Sequence, residues 1–233
     1  HTRGWLGIPM IVQDRMIGII ALDSIHVGTF TTDHARLASA FAAQVAIALE
    51  NARLFAETQK LAITDSLTNS YTRRYFMEAA EREISRSRRY NRLMAVVLFD
   101  IDYFKVVNDT HGHQIGDQVL VELAARVQQQ IREQDLLGRY GGEEFIILMP
   151  ETSLAEAIEA AERLRSMVAQ SPFKTDKGYL RTTISLGVSA LEKRDRNRTL
   201  DMLINLADQA LYVAKTTGRN RTHPAKEELH GKK

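Results

Sequence analysis

Two groups of carboxylates stand where backbone patterns would hold them at the edge of a folded core. The apolar run Ala95-Val96-Val97-Leu98-Phe99 ends abruptly in Asp100-Ile101-Asp102. The two-residue period of a strand puts Asp100 and Asp102 on one face if the strand persists. Acids at the end of a buried strand suit Mg²⁺, a hard cation whose shell substrate phosphates can complete. Taken alone, the pattern also fits a strand running out into solvent. The second group is Arg139-Tyr140-Gly141-Gly142-Glu143-Glu144-Phe145-Ile146-Ile147-Leu148, in which two glutamates follow a glycine pair and lead into an apolar run. Glycines let a ligand approach the backbone, and a two-residue hairpin turn at positive φ is expected at Gly141-Gly142. Gly-Gly-Glu-Glu by itself is an ordinary surface turn; the apolar run behind it puts this one beside a central strand.

Holding both groups together requires a sheet. From Leu61 onward, the patterns predict helix over 72–90, strand over 93–101 and helix over 116–132, with Val119, Leu123, Val127 and Ile131 as one apolar stripe. Strands over 135–140 and 143–149, helix over 154–169, strand over 181–191 and helix over 200–216 follow, with Gly218 as the last C-cap. Such alternation predicts a mixed α/β domain with at least one antiparallel hairpin in its sheet. Upstream, apolar runs over 5–12 and 16–22 flank Gln13-Asp14-Arg15 as a hairpin would. After a cap at Thr32 or Asp33, a helical pattern without Gly or Pro runs from His34 to about Ala62. A seven-residue grid puts Ala38, Val45 and Ala52 at one core position and Phe41, Ala48, Phe55 and Ala62 at the other. That seam fits a two-chain coiled coil, or a single helix packed on its own domain over its first half.

Composition narrows the functional classes. A chain of 233 residues, 44% of them apolar, can bury a real core. With 31 Lys+Arg against 29 Asp+Glu, the net charge of +2 sets up no strong global field that would demand a nucleic-acid or membrane partner. The absence of cysteine rules out disulfides and thiolate zinc sites and fits a reducing cytoplasm. No run approaches the ~20 apolar residues of a membrane span. The opening His1-Thr2-Arg3, entering a strand-like segment almost at once, reads as a piece of a longer protein.

Several separated segments carry a resemblance. Thr64-Asp65-Ser66-Leu67-Thr68, Phe99-Asp100-Ile101-Asp102-Tyr103-Phe104-Lys105, Asn108-Asp109-Thr110-His111-Gly112-His113, Gly116-Asp117 and Gly141 to Phe145 come first. Ser185-Leu186-Gly187-Val188, Ala207-Asp208-Gln209-Ala210-Leu211-Tyr212 and Ala214-Lys215-Thr216-Thr217-Gly218-Arg219-Asn220 follow. In order and spacing, residues 61 to 222 resemble the GGDEF family of diguanylate cyclases. Trp5-Leu6-Gly7-Ile8-Pro9, Gly18 to Ser24 and the helix through Ala46 to Ala52 resemble the C-terminal third of a GAF sensory domain over residues 4 to 56. An intact sensory ligand pocket is not expected in this segment.

The resemblance implies an α/β (α+β) architecture: a palm-like nucleotidyl cyclase domain, its mixed sheet flanked by helices, over 63–223. A partial GAF-like segment (1–33) and a long linker helix (34–62) precede it, and a polar, disordered tail (224–233) follows. It implies GTP as substrate and two Mg²⁺ (or Mn²⁺) per site, ligated by Asp100, the Ile101 carbonyl, Glu143 and Glu144. By the same resemblance one of the two glutamates would be the general base, and the sequence does not choose between them. Gly141 and Gly142 would let the nucleotide pass close by. Asn108 and Asp117 match the positions that read guanine; relatives with Ser at the latter make hybrid cyclic dinucleotides, so Asp favours cyclic di-GMP. Tyr103, Phe104 and Lys105 would bind phosphates largely through backbone N–H groups, with Lys215 and Arg219 adding charge; Lys215 also fits a cation in a last helical turn. His113 would support the site. Arg132-Glu133-Gln134-Asp135 matches the RxxD site at which product inhibits, with Arg86 a further contact or part of a solvated helix face. The chain departs from the family at Asn69-Ser70-Tyr71-Thr72-Arg73-Arg74, where Gly-Leu-x-Asn-Arg-Arg is usual; Asn69 can take a left-handed turn in place of Gly.

The sequence thus reads as a sensor-linked, homodimeric, cytoplasmic diguanylate cyclase with product feedback and no nucleic-acid or membrane contact in this segment. The alternatives are a catalytically silent GGDEF receptor for cyclic di-GMP and a one-substrate nucleotide cyclase.

Overall fold

The computed structural model describes residues 2–61, 63–192 and 198–225, with backbone alone for residues 56–61. Packing divides the chain into two units, His1–Ala62 and Ile63–Lys233.

In the first unit, β1 (Gly4–Val12) and β2 (Arg15–Ser24) form an antiparallel hairpin. Gln13 and Asp14 turn it at φ 47° and 61°, the left-handed pair whose twist matches right-handed strands. α1 (Thr32–Leu61) packs on it, with Ile8, Ala42 and Ala46 buried. Its cap lies one residue earlier than expected: the Thr31 hydroxyl accepts the His34 N–H. The expected seam splits. Ala38 and Val45 are half-buried on the face that carries Ala42 and Ala46, whereas Phe41, Ala48, Ala52 and Phe55 are exposed, and Ala62 lies outside the described residues.

The second unit contains β3 (Tyr71–Thr72), α2 (Arg73–Tyr90), β4 (Met94–Ile101), α3 (Phe104–His111), α4 (His113–Gln130), β5 (Leu136–Arg139) and β6 (Glu144–Pro150). Next come α5 (Leu154–Gln170), β7 (Phe173–Thr175), β8 (Gly178–Leu180), β9 (Ile184–Leu191), α6 (Leu200–Thr216) and β10 (Thr222–Pro224). Six strands form one mixed sheet, in the order β10-β9-β4-β6-β5-β3. β4 is antiparallel to both β6 and β9, while β3 pairs parallel to β5 and β10 to β9. All eight β4 residues are buried, because helices cover both faces, and this is why the strand reads as a continuous apolar run. Ala95, Val97 and Phe99 pack with α4 and α5 residues such as Leu123 and Leu164. Met94, Val96 and Leu98 pack on the other face with Phe76 and Ile84 of α2 and Leu203 of α6.

Several expectations are corrected. Residues 104–111 form a helix of their own, α3, and α4 starts at His113 because Gly112, at φ 88°, breaks the chain between them. Ile131 is extended and ends α4, although its side chain still packs on the core. Gly141 and Gly142 do not take positive φ, so the connection is not a two-residue turn. The β5–β6 register closes at Arg139↔Phe145, and residues 140–143 form a wider loop before β6 begins at Glu144. Thr217 caps α6, and Gly218, at φ 123°, is the residue after the cap. Pro224 belongs to β10 rather than to a tail, whose remainder (226–233) lies outside the described residues. The small β7–β8 hairpin and β3 are too short to leave a periodic signal.

Candidate active site

Register builds the centre of the site. Phe99 and Phe145 are cross-strand partners with rings stacked 5.4 Å apart, and the next pair is Asp100↔Glu144. Cross-strand partners share a face, and here it is the face of α2 and α6. A one-residue slip of β6 against β4 would turn Glu144 to the opposite layer, away from Asp100, so the aromatic pair also fixes the acids. On β9, Gly187 lets α6 come close: a Cβ there would meet the Ala207 carbonyl oxygen at 2.0 Å. The helix thereby carries Lys215, in its last turn, to within 2.9 Å of Asp100.

Burial pushes the Asp100 carboxyl up to about 6, held down by its hydrogen bond and charge pairing with Lys215 and raised further by Glu143 and Glu144. Two neighbouring acids that disfavour ionisation mark a place where a cation would be stabilised. Among the described residues no three His, Cys, Asp or Glu side chains already converge as a metal cage. The donor set nonetheless fits Mg²⁺, which takes one or two carboxylates and completes its shell with water and substrate phosphates. Asp100, Glu143 and Glu144 are the side chains available, and Ile101, whose side chain is buried in the other layer, ends the strand beside them. Glycines keep the loop open: a Cβ on Gly142 would meet nothing within 4 Å, and one on Gly141 would meet the Glu144 carboxylate at 2.8 Å.

At the end of β4, Tyr103 adopts a left-handed conformation (φ 57°) and starts α3, whose first N–H groups have no partner within the helix. Phe104 anchors this turn in the core, while Lys105 and the Tyr103 ring are exposed. The Arg219 guanidinium lies 4.4 Å over the Tyr103 ring and donates to its hydroxyl. The buried Asn108 Oδ1 has no hydrogen-bond partner and rests on Gly116, where a Cβ would come within 1.9 Å of it. Asp117, the next residue, is exposed and lines a cleft of about 430 Å³ with Leu67 and Val121. His113 is an exposed side chain at the start of α4.

Arg132 and Asp135 form a tight turn. The Asp135 N–H donates to the Arg132 carbonyl at 3.0 Å, and Asp135 Oδ2 accepts the Arg132 N–H at 2.9 Å. Asp135 is 4% exposed, its Oδ1 has no partner, and burial raises its carboxyl above the usual range against the pull of Arg132 and Arg163. Arg86 pairs with Glu83 on its own helix at 3.8 Å.

Residues outside the expected site brace the acidic loop. Arg139 donates from Nε and Nη2 to the Gly142 carbonyl at 3.0 and 2.8 Å, and from Nη1 to both Asp65 oxygens at 3.1 and 3.3 Å. Asp65 also accepts from the backbone and hydroxyl of Thr68, and Asn69, at φ 56°, closes that loop in the left-handed turn expected of it. Arg73 stacks 4.4 Å over the Tyr140 ring. Arg139, directly before Tyr140-Gly141-Gly142, was the available signal; its partner 74 residues away was not.

Residues 62–221 match the family model of the diguanylate cyclase GGDEF domain. The chain belongs to that family. Residues 1–51 match the GAF domain model. Over 163 residues the chain is 44% identical to the response regulator PleD of Caulobacter vibrioides, spanning 69% of this chain and 36% of that protein. Diguanylate cyclase A of Treponema denticola is 34% identical over 232 residues, 95% of this chain and 60% of the relative. The chain therefore spans between about a third and three fifths of these relatives' length. Among solved structures, the GGDEF domain of DgcB from Caulobacter crescentus, in complex with c-di-GMP, superposes with TM-score 0.66 at 31% identity, covering 70% of this chain and 96% of that one. The coiled coil and GGDEF domain of the same protein gives 0.67 at 29% identity, covering 84% and 100%. The fold is thus the mixed α/β GGDEF fold. Among the described residues no helix is long and apolar enough to cross a membrane.

Proposed function

We propose that this chain condenses two GTP molecules into cyclic di-GMP and two pyrophosphates. The observation that carries the reading is the facing pair Asp100 and Glu144, with Glu143 beside them, at the rim of an open glycine loop. Each 3′-hydroxyl attacks the α-phosphorus of the other nucleotide, pyrophosphate leaves, and a carboxylate of the Glu143–Glu144 pair takes the proton. Bound Mg²⁺, two per site, would polarise the α-phosphate and stabilise the departing pyrophosphate. Asp100, the Ile101 carbonyl and the two glutamates would hold it. Asn108 Oδ1, a buried acceptor without a partner, and Asp117 suit the N–H edge of guanine. The free N–H groups at the start of α3, with Lys105, Lys215 and Arg219, suit the phosphates.

One domain holds one GTP in this scheme, so a homodimer completes the reaction. The exposed stripe of Leu37, Phe41, Ala48 and Phe55 on α1 offers the second copy an apolar face. Arg132 and Asp135 form the product site for feedback inhibition, Asp135 Oδ1 being free to accept guanine N–H groups. A cytoplasmic location fits a chain without cysteine that consumes GTP.

Incubation with GTP and Mg²⁺ followed by chromatography tests the reading. Cyclic di-GMP should accumulate, with a rate rising faster than linearly in protein concentration while the dimer forms. No product at high protein concentration, with cyclic di-GMP binding intact, would replace the enzyme by a silent receptor.

A further inference from the structure

Asp102 lies two residues from Asp100 but is used differently. It is 3% exposed, and every partner of its carboxylate is a donor within the protein. Thr183 Oγ1 donates to Oδ2 at 2.6 Å, Ser185 Oγ to Oδ1 at 2.7 Å, and the Asn220 backbone N–H to Oδ2 at 3.0 Å. Both oxygens are thus occupied from three directions, two hydroxyls and one backbone N–H, so the carboxylate spends its hydrogen-bonding capacity inside the protein.

What Asp102 holds is a strained turn. Gly218, Arg219 and Asn220 follow one another at φ 123°, 59° and 45°, a left-handed run that ordinary side chains avoid. Such a run persists only where its surroundings over-determine it. The Arg219 N–H reaches the Ala214 carbonyl at 2.9 Å, Arg165 donates to Asn220 Oδ1 at 2.9 Å, and Asp102 takes the Asn220 N–H from the core side. The outcome is the placement of Arg219 over Tyr103, itself left-handed at the start of α3.

We propose that Asp102 is a positioning residue that locks the 218–220 turn and so presents Arg219 to the phosphates of the nucleotide. The inference rests on the reading of this site as a GTP site. Asp102 acts through Arg219, so its loss weakens recognition of the triphosphate and leaves recognition of the base intact.

The test is calorimetric binding of a non-hydrolysable GTP analogue and of GMP, each with Mg²⁺, to the full chain. Asp102→Asn puts an amide N–H against a donor and should lower affinity for the triphosphate analogue about tenfold while leaving GMP within about twofold. In an Arg219→Ala background the same change should cost less than about twofold, because the residue through which it acts is gone. Equal losses for both nucleotides, or a full additional loss without Arg219, would overturn the inference. If Asp102→Asn does not fold, Arg165→Met, which loosens the turn from the opposite side, must show the same selective loss at smaller size; an equal loss or none overturns it. A wild-type protein that binds neither nucleotide overturns the functional reading and this inference together. A triphosphate preference that survives Asp102→Asn undiminished overturns the inference alone.

Discussion

Asp100 and Asp135 are both withdrawn from water, and burial raises both carboxyls above their ordinary range, yet they sit in surroundings of opposite sign. Around Asp100 stand two glutamates and one lysine, an excess of negative charge that favours an added cation. Around Asp135 stand the Arg132 N–H and the charges of Arg132 and Arg163, with one carboxylate oxygen left unpartnered. Burial alone therefore assigns neither residue a role. The sign of the neighbours does, and it separates a proposed metal and phosphate centre from a proposed product site on one small sheet.

The sharpest way to break this contrast is Asp100→Asn. It should lower cyclic di-GMP synthesis by at least about a thousandfold, because it removes a proposed metal ligand rather than a supporting contact. The melting temperature at neutral pH should not fall, since a buried carboxylate made costly by its neighbours is replaced by a neutral group. Product formation within tenfold of wild type would remove Asp100 from the chemistry. Next in size, Arg139→Ala releases the Gly142 carbonyl and Asp65 together, and a mispositioned acidic loop should reduce kcat/KM by about ten- to a hundredfold with folding preserved by circular dichroism. An unchanged value would mean that the loop holds its shape without that brace.

On the other side of the comparison, Arg132→Ala should weaken inhibition by cyclic di-GMP about tenfold while initial rates without product stay near wild type. Unchanged inhibition would dissolve the contrast, leaving Asp135 a purely structural carboxylate. The smallest effect concerns pH. Asp100 titrates at about 6 in the folded chain against an ordinary 3.8, so folding favours its protonated form. Its contribution to stability declines as pH rises from 3.8 toward 6, and binding a cation below pH 6 must displace a proton. Mg²⁺ affinity measured by calorimetry should drop as pH is lowered from 7 to 5, approaching about tenfold per unit at the acid end. Affinity that stays flat over this window would place the cation away from Asp100.

Much of the catalytic unit was legible in one dimension. The run ending at Asp100 and the acids after Gly141-Gly142 announced a strand and a hairpin, because a central strand covered on both faces must be apolar throughout. The glycines misled in one respect: their role is to leave space and not to supply positive φ, a distinction that sequence cannot draw because both uses require the same missing Cβ. α3 and the early start of α4 are not legible because Phe104 to His111 spans only about two turns, too few to show a helical period, and Gly112 at φ 88° sets the boundary through the backbone alone. The long helix was legible as a helix but not as a seam, since Ala38 and Val45 serve their own hairpin while Phe41 and Phe55 face outward.

The sequence by itself determined the types of the longer elements, the family pattern and which acids could matter, for these follow from side-chain chemistry and short-range periodicity. Only the tertiary structure decided that Asp100 faces Glu144 and Lys215, that Asp102 turns instead to Thr183, Ser185 and Asn220, and that Arg139 ties Asp65 to the acidic loop. Those choices depend on strand register and on partners up to 118 residues apart, and no local pattern fixes a contact across that distance.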